Sequence, residues 1–443
     1  MPTEMVKNNT LSTSWEEDSN IAHYAVTLSS SINGSAFDPL AGAPKIFGQF
    51  STVKKINAST YEAIRDPLGI SKLFYTETGK GELFFSEQFT DLFQYKSKIY
   101  SVPAGKHVRI GTGGIRELIQ DIRPGEAINK KLRVDSLQNA NADAEGHFFQ
   151  KKLTDRLNTA FSLIRNLENA GWKIFVALSG GLDSSIIANF AVRHLSRPIA
   201  STLDLGRSED AEKSSLIAQH LGIKHLVFDT SENEIIKTVS NAPLLCQDFR
   251  DFNVHCAALN LLLARNIRSW TDSIYPEAGS KLIVLTGDLM NEYTCDYLEE
   301  TIDDKVYYKL PRVGKKDLQR YLIRGLDTSD RELSPFRHYG LTCIQPYAIV
   351  FDLYANLSES ILEAKDSKKL LNSFLVPKEV SDLIPKDKLR AQVGSKESMG
   401  ILGLCHKLGF NDRYFREKLM EQSGGTQDQI PIFVGKYDVE NFS

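Results

Sequence analysis

The stretch Phe175-Val-Ala-Leu-Ser-Gly-Gly-Leu-Asp-Ser-Ser185 decides the fold of this chain. An apolar run of strand type leads into a Gly-Gly turn, and serines follow where a helix would begin. The two glycines allow bare backbone N–H groups to approach an anion, and the N-terminus of a helix favours negative charge. The stretch therefore predicts a phosphate-binding loop between a strand and a helix.

The side chains of this loop narrow its predicted chemistry. The residues expected to hold pyrophosphate are Ser179, Gly180, Gly181, Asp183, Ser184 and Ser185. The lysine of a GxxxxGK[ST] loop is missing, which argues against a kinase or a GTPase. A carboxylate such as Asp183 repels phosphate unless a cation lies between them, so Asp183 is also predicted to bind Mg²⁺. A glycine turn that merely joins a strand to a helix is the alternative interpretation.

Outward from this loop, strand and helix patterns alternate along the sequence. The strand-like runs are 173–178, 199–203, 225–228 and 281–286, and helical patterns at 184–195 and 210–221 separate them. Such alternation predicts an α/β fold in which a doubly wound parallel sheet binds ligands at the carboxyl ends of its strands. Beyond residue 312 the chain is expected to be mainly helical.

The sequence before this region has a different pattern. Short apolar runs alternate with turn signals between residues 46 and 110, which is typical of antiparallel sheet. We therefore expect a smaller β-rich domain before the α/β domain. The predicted divisions are a polar segment at 1–45, the β-rich domain at 46–135, a linker at 136–146, the α/β domain at 147–422 and a tail at 423–443.

Composition excludes several classes of partner. The formal charge of -3, from 53 basic and 56 acidic residues, gives no global field that would attract nucleic acid or an anionic membrane. No apolar run approaches the roughly 18 residues of a membrane helix, and residues 1–20 are not signal-like. Five scattered cysteines indicate free thiols rather than disulfides or a zinc site. A cytoplasmic protein that acts on small molecules is expected, and its oligomeric state, including a homo-oligomer, is left open.

The loop at 179–185 resembles the signature of the ATP pyrophosphatase superfamily, whose members cut ATP between the α and β phosphates and adenylate a substrate. The order of parts resembles asparagine synthetase and its relatives. In the N-terminal half, three motifs look like the later part of a class II glutamine amidotransferase domain: Phe47-Gly-Gln-Phe50, Arg65-Asp-Pro-Leu-Gly69 and Phe84-Phe-Ser-Glu87. The chain starts Met1-Pro2-Thr3 and has no cysteine before Cys246, so glutamine hydrolysis is not expected. Arg65 and Asp66 are then expected to be structural residues.

Relatives that lack the nucleophilic cysteine take an amine from their substrate, as β-lactam synthetase, carbapenam synthetase and, more distantly, lasso peptide cyclases do. The segment Leu285-Thr-Gly-Asp-Leu-Met-Asn-Glu292 stands where such relatives carry a T/S-G-x-G-x-D pattern. The match is imperfect, because Asn291 replaces the aspartate and Leu289 the second glycine. The resemblance implies that Gly287 lies at the nucleotide, that Asp183, Asp288 and Asn291 bind the metal, and that Asp288 also takes part in catalysis.

A second segment, Arg331-Glu-Leu-Ser-Pro335, resembles the part of the lactam synthetases that supplies a catalytic glutamate. The resemblance makes Glu332 the residue that orients the partner deprotonating the attacking amine. A solvated glutamate before a helix start is the alternative interpretation. Tyr293 and Tyr297 are candidates for the tyrosine that lactam synthetases use as this partner, although packing in an aromatic core explains either residue equally well.

A third segment, Lys388-Leu-Arg-Ala-Gln-Val-Gly-Ser395, matches the K-L-x-x-x-x-G-S stretch of the family. The resemblance implies that Lys388 stabilises the charge that grows on the α phosphate in the transition state, while Gly394 and Ser395 offer donors to the nucleotide. Adenine recognition is expected at the backbone of Leu203, as in the relatives.

Together these resemblances imply a ligase that uses ATP and Mg²⁺. A carboxylate of a small-molecule or peptide substrate attacks the α phosphate, and an amine then captures the acyl-adenylate, releasing AMP and pyrophosphate. An amine in the same molecule would give a lactam or a cyclised peptide in specialised metabolite biosynthesis. The alternatives are an intermolecular amide ligase, an ammonia-dependent asparagine synthetase, and a non-catalytic scaffold that retains ATP binding.

Overall fold

The computed structural model describes residues 48–122, 134, 137, 144–205, 209–276, 279, 281–326, 330–384 and 400–429. The predicted polar segment at 1–45 lies outside the described residues. So do Lys388, Gly394 and Ser395, whose roles stay predictions.

The N-terminal domain consists of two antiparallel sheets, as the alternation of apolar runs and turns predicted. Its strands are β1 (Ser51–Asn57), β2 (Thr60–Arg65), β3 (Phe74–Glu77), β4 (Leu83–Ser86), β5 (Ile99–Ser101), β6 (Lys106–Gly111) and β7 (Gly114–Asp121). The four-stranded sheet has the order β1-β2-β6-β7 and the three-stranded sheet the order β4-β3-β5. Apolar side chains from both sheets, among them Val53, Tyr75, Phe85 and Val108, form the core of this domain.

Arg65 and Asp66 hold the centre of this domain together. The Arg65 guanidinium is fully buried and donates to the carbonyl oxygens of Ser71 (2.6 Å), Gly69 (2.8 Å) and Val102 (2.9 Å). The Asp66 carboxylate accepts the backbone N–H of Ser71 at 2.9 Å. Burial raises the pKa of the Asp66 carboxyl, although the neighbouring Arg65 guanidinium opposes that shift. Both residues are therefore structural, as expected from the sequence.

The α/β domain is built on a parallel sheet of five strands, in the order β10-β9-β8-β11-β14. The strands after β7 are β8 (Lys173–Ala177), β9 (Ile199–Asp204), β10 (Lys224–Asp229), β11 (Leu282–Leu285), β12 (Glu300–Ile302), β13 (Lys305–Tyr307) and β14 (Thr342–Ile344). The four predicted strands are confirmed. The expectation of a mainly helical chain beyond residue 312 missed β14, because a three-residue strand is too short to show a period of two.

Helices cover both faces of this sheet and continue to the end of the described chain. They are α1 (Ala144–Asn169), α2 (Leu182–His194), α3 (Glu209–Leu221), α4 (Glu232–Cys246), α5 (Asp251–Ile274), α6 (Met290–Thr294), α7 (Lys315–Gly325), α8 (Leu333–His338), α9 (Phe351–Ala355), α10 (Glu359–Leu362), α11 (Ser367–Asn372), α12 (Lys378–Leu383), α13 (Ile401–Leu408) and α14 (Asp412–Ser423). Short 3-10 turns lie at Phe89–Tyr95, Pro346–Val350, Ser373–Leu375 and Gln427–Gln429. The first helix begins inside the predicted linker. Within the described ranges, no helix is both long and apolar enough to span a bilayer.

The strand order places a ligand crevice at the phosphate loop. From β8 the chain moves outward through β9 and β10, and it then returns to β11 on the other side of β8. Ligands of doubly wound sheets bind at the carboxyl ends of the strands where the order reverses. In this chain that point lies between β8 and β11, which end at Ala177 and Leu285.

The two domains are joined by hydrogen bonds between buried side chains and backbone. The Gln49 side chain donates to the Cys343 carbonyl (2.7 Å) and accepts from the Gln345 N–H (2.9 Å), both near β14. Gln88 donates to the Ser334 hydroxyl at 2.5 Å. These bonds fix the β domain against the carboxyl edge of the parallel sheet.

We expect Arg65→Ala to lower the free energy of unfolding by about 3–5 kcal/mol, because it leaves the buried Asp66 carboxylate and several carbonyls without their cation. Urea unfolding followed by circular dichroism measures the change. Arg109→Ala is the control, because Arg109 is an arginine of the same domain whose ion pairs with Glu62 and Glu117 lie near the surface. Equal losses in the two variants would contradict the assigned structural role.

Candidate active site

The phosphate loop is braced by its own serines. The Ser184 hydroxyl accepts the Ser179 N–H (3.1 Å) and donates to the Gly181 carbonyl (3.2 Å). The Ser185 hydroxyl donates to the same carbonyl at 2.7 Å. Gly181 is the N-cap of α2, and Gly180 has φ +69°, a conformation that side chains rarely adopt. The loop is therefore preformed at the N-terminus of a helix, where an anion is favoured.

Gly287 allows the loop after β11 to rest directly on the first turn of α2. A Cβ atom at Gly287 would lie 2.8 Å from the Ser184 nitrogen and 2.9 Å from the Asp183 carbonyl carbon. Both are backbone atoms and cannot move aside as a flexible side chain would. Gly287 thus permits a close backbone approach to the loop at 179–185, and its predicted contact with the nucleotide stays a prediction.

The Lys368 ammonium is the centre of the polar contacts beside this loop. Its Nζ lies 2.5 Å from Asp183 Oδ2, 2.5 Å from Asn291 Oδ1 and 3.0 Å from Asp296 Oδ2. Burial opposes the charged form, but the ion pairs with Asp183 and Asp296 outweigh it and raise the pKa of Lys368. Sequence reasoning missed Lys368, because α11 carries no motif and only the tertiary fold brings it to the loop.

The predicted metal ligands are only partly brought together. Asp183 and Asn291 converge on one cation, the Lys368 ammonium, so their oxygens are aimed at a common point. No ion pair joins Asp288 to Lys368 among the described residues. Within that part of the chain, no three His, Cys, Asp or Glu side chains lie close enough to hold a metal ion. Two protein oxygens suit Mg²⁺ bound together with nucleotide phosphates and water.

The carboxyl group of Asp288 has an unusually high pKa. Burial is the main cause, and the nearby Glu332 charge adds to it, so that the pKa of Asp288 rises to about 7. A hydrogen bond from Thr286 and the Arg331 charge offset part of the shift. A carboxyl with a pKa near neutrality is suited to proton transfer.

Glu332 belongs to a buried charge network around Arg331. The Arg331 guanidinium pairs with Glu332 through Nε and with Glu292 through Nη2, the latter at 2.5 Å. The Tyr297 hydroxyl donates to Glu292 Oε1 at 2.6 Å. Glu332 is therefore a buried member of the site rather than the solvated glutamate of the alternative interpretation. Arg331, Glu292 and Tyr297 hold it in a network that the sequence did not predict.

The two tyrosines considered as a catalytic base are in different environments. Tyr293 is fully buried, stacks on Tyr354 and donates to the Tyr347 carbonyl at 3.1 Å, so it is a core residue. Tyr297 faces the charge network. Burial and the Glu292 carboxylate raise the pKa of the Tyr297 phenol well above its usual value, although Arg331 opposes the shift. The Tyr297 hydroxyl therefore stays protonated and acts as a donor.

Leu203 lies at the open end of the crevice. Just beyond the end of β8, the Leu178 N–H donates to the Ser201 carbonyl of β9 at 2.9 Å. Because alternate residues of a strand direct their backbone groups to the same side, Leu203 directs its N–H and carbonyl towards the gap beyond β8. This placement suits the predicted adenine contact.

A cavity of about 700 Å³ lies next to the charge network. Its walls come from the start of α5, the segment from β13 to residue 310, the end of α7 and the start of α14. Glu292, Tyr297, Arg331 and Glu332 form one end of it. The network therefore faces a space that a substrate can enter.

Part of this site is similar to known proteins. Residues 166–294 match the asparagine synthase family, and this range contains the phosphate loop, Gly287 and α6. Asparagine synthetase [glutamine-hydrolyzing] 2 of Arabidopsis thaliana is 24% identical over 249 residues, which are 54% of this chain and 38% of that protein. The chain thus spans well under half the length of this curated relative.

Two solved structures are weakly similar to the chain. NMN synthetase from Francisella tularensis is 16% identical with a TM-score of 0.30, covering 63% of this chain and 89% of that one. NAD⁺ synthetase from Burkholderia pseudomallei is 15% identical with a TM-score of 0.24, covering 51% and 90%.

We expect Gly287→Ala to destabilise the protein by about 1–3 kcal/mol, because the added methyl group overlaps the backbone of Ser184 and Asp183. Thermal unfolding measures this, and ATP binding should weaken in the same variant as the loop moves. Gly79→Ala is the matched control, since a Cβ there meets nothing within 4 Å. A variant as stable as the control would contradict the close approach.

Asp251, at the cavity wall, gives a pH-dependent prediction. Burial and the Asp412 carboxylate raise the pKa of Asp251 from 3.8 to about 6. Because the folded pKa is the higher one, stability falls as pH rises from about 4 to 6 and the unfolded chain ionises first. Asp251→Asn should therefore be more stable than wild type by about 1–2 kcal/mol at about pH 8, since Asp251 is partly exposed, with the difference vanishing below about pH 4. Urea titrations at the two pH values test this, and a variant less stable at about pH 8 would contradict it.

Proposed function

We propose that the protein is an AMP-forming carbon-nitrogen ligase, which adenylates a substrate carboxylate and lets an amine capture it. The observation that carries this proposal is the position of the 166–294 match, which spans both sides of the crevice between β8 and β11. A preformed anion site without a P-loop lysine supports cleavage that leaves pyrophosphate in the loop.

The residues on the nucleotide side have distinct tasks in this proposal. The loop at 179–185 holds the pyrophosphate, and Leu203 offers backbone groups to adenine. Asp183 and Asn291 would hold the magnesium ion that accompanies ATP and neutralises phosphate charge. The Lys368 ammonium, next to both, stabilises the negative charge of the departing pyrophosphate. The proposal also includes the predicted contacts of the nucleotide with Lys388, Gly394 and Ser395.

On the other side of α6 from the phosphate loop, the carboxyl groups of Asp288 and Glu332 serve the amide-forming step. Asp288 takes a proton as the amine attacks, since its pKa lies near neutrality. Glu332 orients the amine from the charge network. We further propose that the amine belongs to the molecule that carries the carboxylate, so that the product is a lactam or a cyclised peptide in specialised metabolism. The cavity, of about 700 Å³, has room for a substrate that carries both groups.

We expect Lys368→Met to lower exchange of labelled pyrophosphate into ATP at least about 100-fold, since it removes a cation that faces the phosphate loop. Lys369→Met is the matched control, because the neighbouring Lys369 is exposed on α11. Mass spectrometry of reactions with ATP, magnesium and a panel of amino diacids, amino acids and peptides identifies nucleotide and product. AMP and a product lighter by one water are the expected result.

Three other outcomes would each change the proposal. AMP together with a joined product would mean an intermolecular ligase, and asparagine from aspartate and ammonium would mean ammonia-dependent synthesis. ADP in place of AMP would contradict adenylation. No exchange with any carboxylate would favour the ATP-binding scaffold.

A further inference from the structure

The cavity next to the charge network and the nucleotide side meet at two consecutive residues of α6. Asn291 and Glu292 are adjacent on α6, and the Asn291 amide oxygen accepts from Lys368, which pairs with Asp183 of the phosphate loop. The Glu292 carboxylate instead lines the cavity. A group held at Glu292 is therefore next to the place where the proposed acyl-adenylate forms.

The inner end of the cavity holds two buried carboxylates against one guanidinium. Glu292 and Glu332 are only 2% and 7% exposed, and the Arg331 guanidinium lies between them. Both carboxylates use Oε1 for Arg331, whereas neither Oε2 receives a hydrogen bond from the residues that the structure describes. Two carboxylates share the one Arg331 guanidinium, and the Lys72 ammonium acts on Glu332 more weakly than Arg331 does. A buried end of this kind selects a ligand that brings a positive charge and N–H donors.

The walls beyond these acids are aromatic and fixed in position. The Phe252 ring makes edge contacts with Tyr297 and Tyr308, with centroids 5.6 Å and 5.1 Å apart. Tyr308 has φ +53°, and its hydroxyl lies 2.6 Å from Nδ1 of the buried His255. A bulky residue with positive φ is strained, and such strain persists where surrounding contacts hold it. These rings favour an aromatic or similarly flat apolar body.

The rim of the cavity carries charges of both signs, since the exposed Asp412 lies there beside basic residues. Lys305, Lys309 and Arg413 line the cavity and are exposed. Exposed charges are screened by salt and contribute little to binding. The buried acids therefore dominate the choice of ligand.

We propose that this cavity binds the amine of the substrate as an ammonium group attached to an aromatic body. The ammonium lies on Oε2 of Glu292 and Glu332, and the aromatic body lies against Phe252 and Tyr308. This assignment rests on the proposed function of the adjacent nucleotide site, and it names the class of amine that the ligase uses. Free ammonia and small aliphatic amines do not fill the site.

Binding of three probes to the full chain tests this assignment without requiring catalysis. Phenethylamine has both the ring and the ammonium, hydrocinnamate has the ring with a carboxylate, and butylamine has the ammonium without a ring. Calorimetric titration should show phenethylamine binding at least about 10-fold more tightly than either of the others, since hydrocinnamate lacks the charged hydrogen bonds to the acids and butylamine lacks the ring. Hydrocinnamate binding equally well, or no binding of phenethylamine, would overturn the assignment.

Two variants locate the binding. Glu292→Gln keeps the size of the side chain and should weaken phenethylamine about 10-fold while leaving hydrocinnamate unchanged. Phe252→Leu should weaken phenethylamine but not butylamine, so the test stands if the first variant does not fold. Glu299→Gln, an exposed acid outside the cavity lining, is the control. Phenethylamine binding that neither variant changes would overturn the assignment.

Failure of this assignment can be told apart from failure of the proposed function. Exchange of pyrophosphate into ATP reports adenylation and does not involve the amine. An exchanging enzyme that shows no preference for phenethylamine would keep the ligase and lose the amine site. A protein that binds phenethylamine as expected but exchanges no pyrophosphate would keep the binding site and lose the ligase.

Discussion

The contact of Gly287 with the first turn of α2 is the constraint on which the site depends. It brings two chain segments so close that a Cβ at position 287 would lie within 3 Å of the backbone of Asp183 and Ser184, where the strand order of the sheet reverses. Because α6 begins three residues after Gly287, this contact also sets the position of Asn291 and Glu292. One short helix thus directs one side chain to the phosphate loop and the next to the cavity. The nucleotide side and the cavity side cannot move independently.

The charges around α6 are arranged at a cost to stability. Arg331 is buried with two carboxylates, and Lys368 is held by Asp183, Asp296 and Asn291. Ion pairs in such places repay little of their desolvation, and apolar residues of similar size are often equally stable or better. A fold selected for stability alone would not concentrate charge at one end of a sheet. The concentration makes sense if ATP and an ammonium group take part of the charge when they bind.

The sequence predicted the parts of the site that depend on local structure. The strand, glycine turn and serines at 175–185 occur within a few residues, and each signal acts over that distance. Asp183 and Gly287 lie at the crevice and Glu332 lines the cavity, while the roles that their motifs indicated stay predictions. Lys368 and the pairing of Arg331 with Glu292 could not be found in this way, because tertiary packing alone brings those residues together. The three-residue strand β14 was not predicted for a related reason, since it forms by pairing with β11 and its own sequence has no strand pattern.

The β domain holds the segment that carries the buried charges in position. Lys72 donates to the Leu326 carbonyl, and Gln88 donates to the Ser334 hydroxyl at 2.5 Å. Leu326 and Ser334 flank the segment that carries Arg331 and Glu332, so the β domain holds that segment at both ends. Its contacts with the site are thus made by bonds to the backbone and to a serine, not by a nucleophile. Even with no part in the chemistry this β domain would be needed, because without it the two ends of this segment would lose those partners and the buried acids could shift away from the nucleotide.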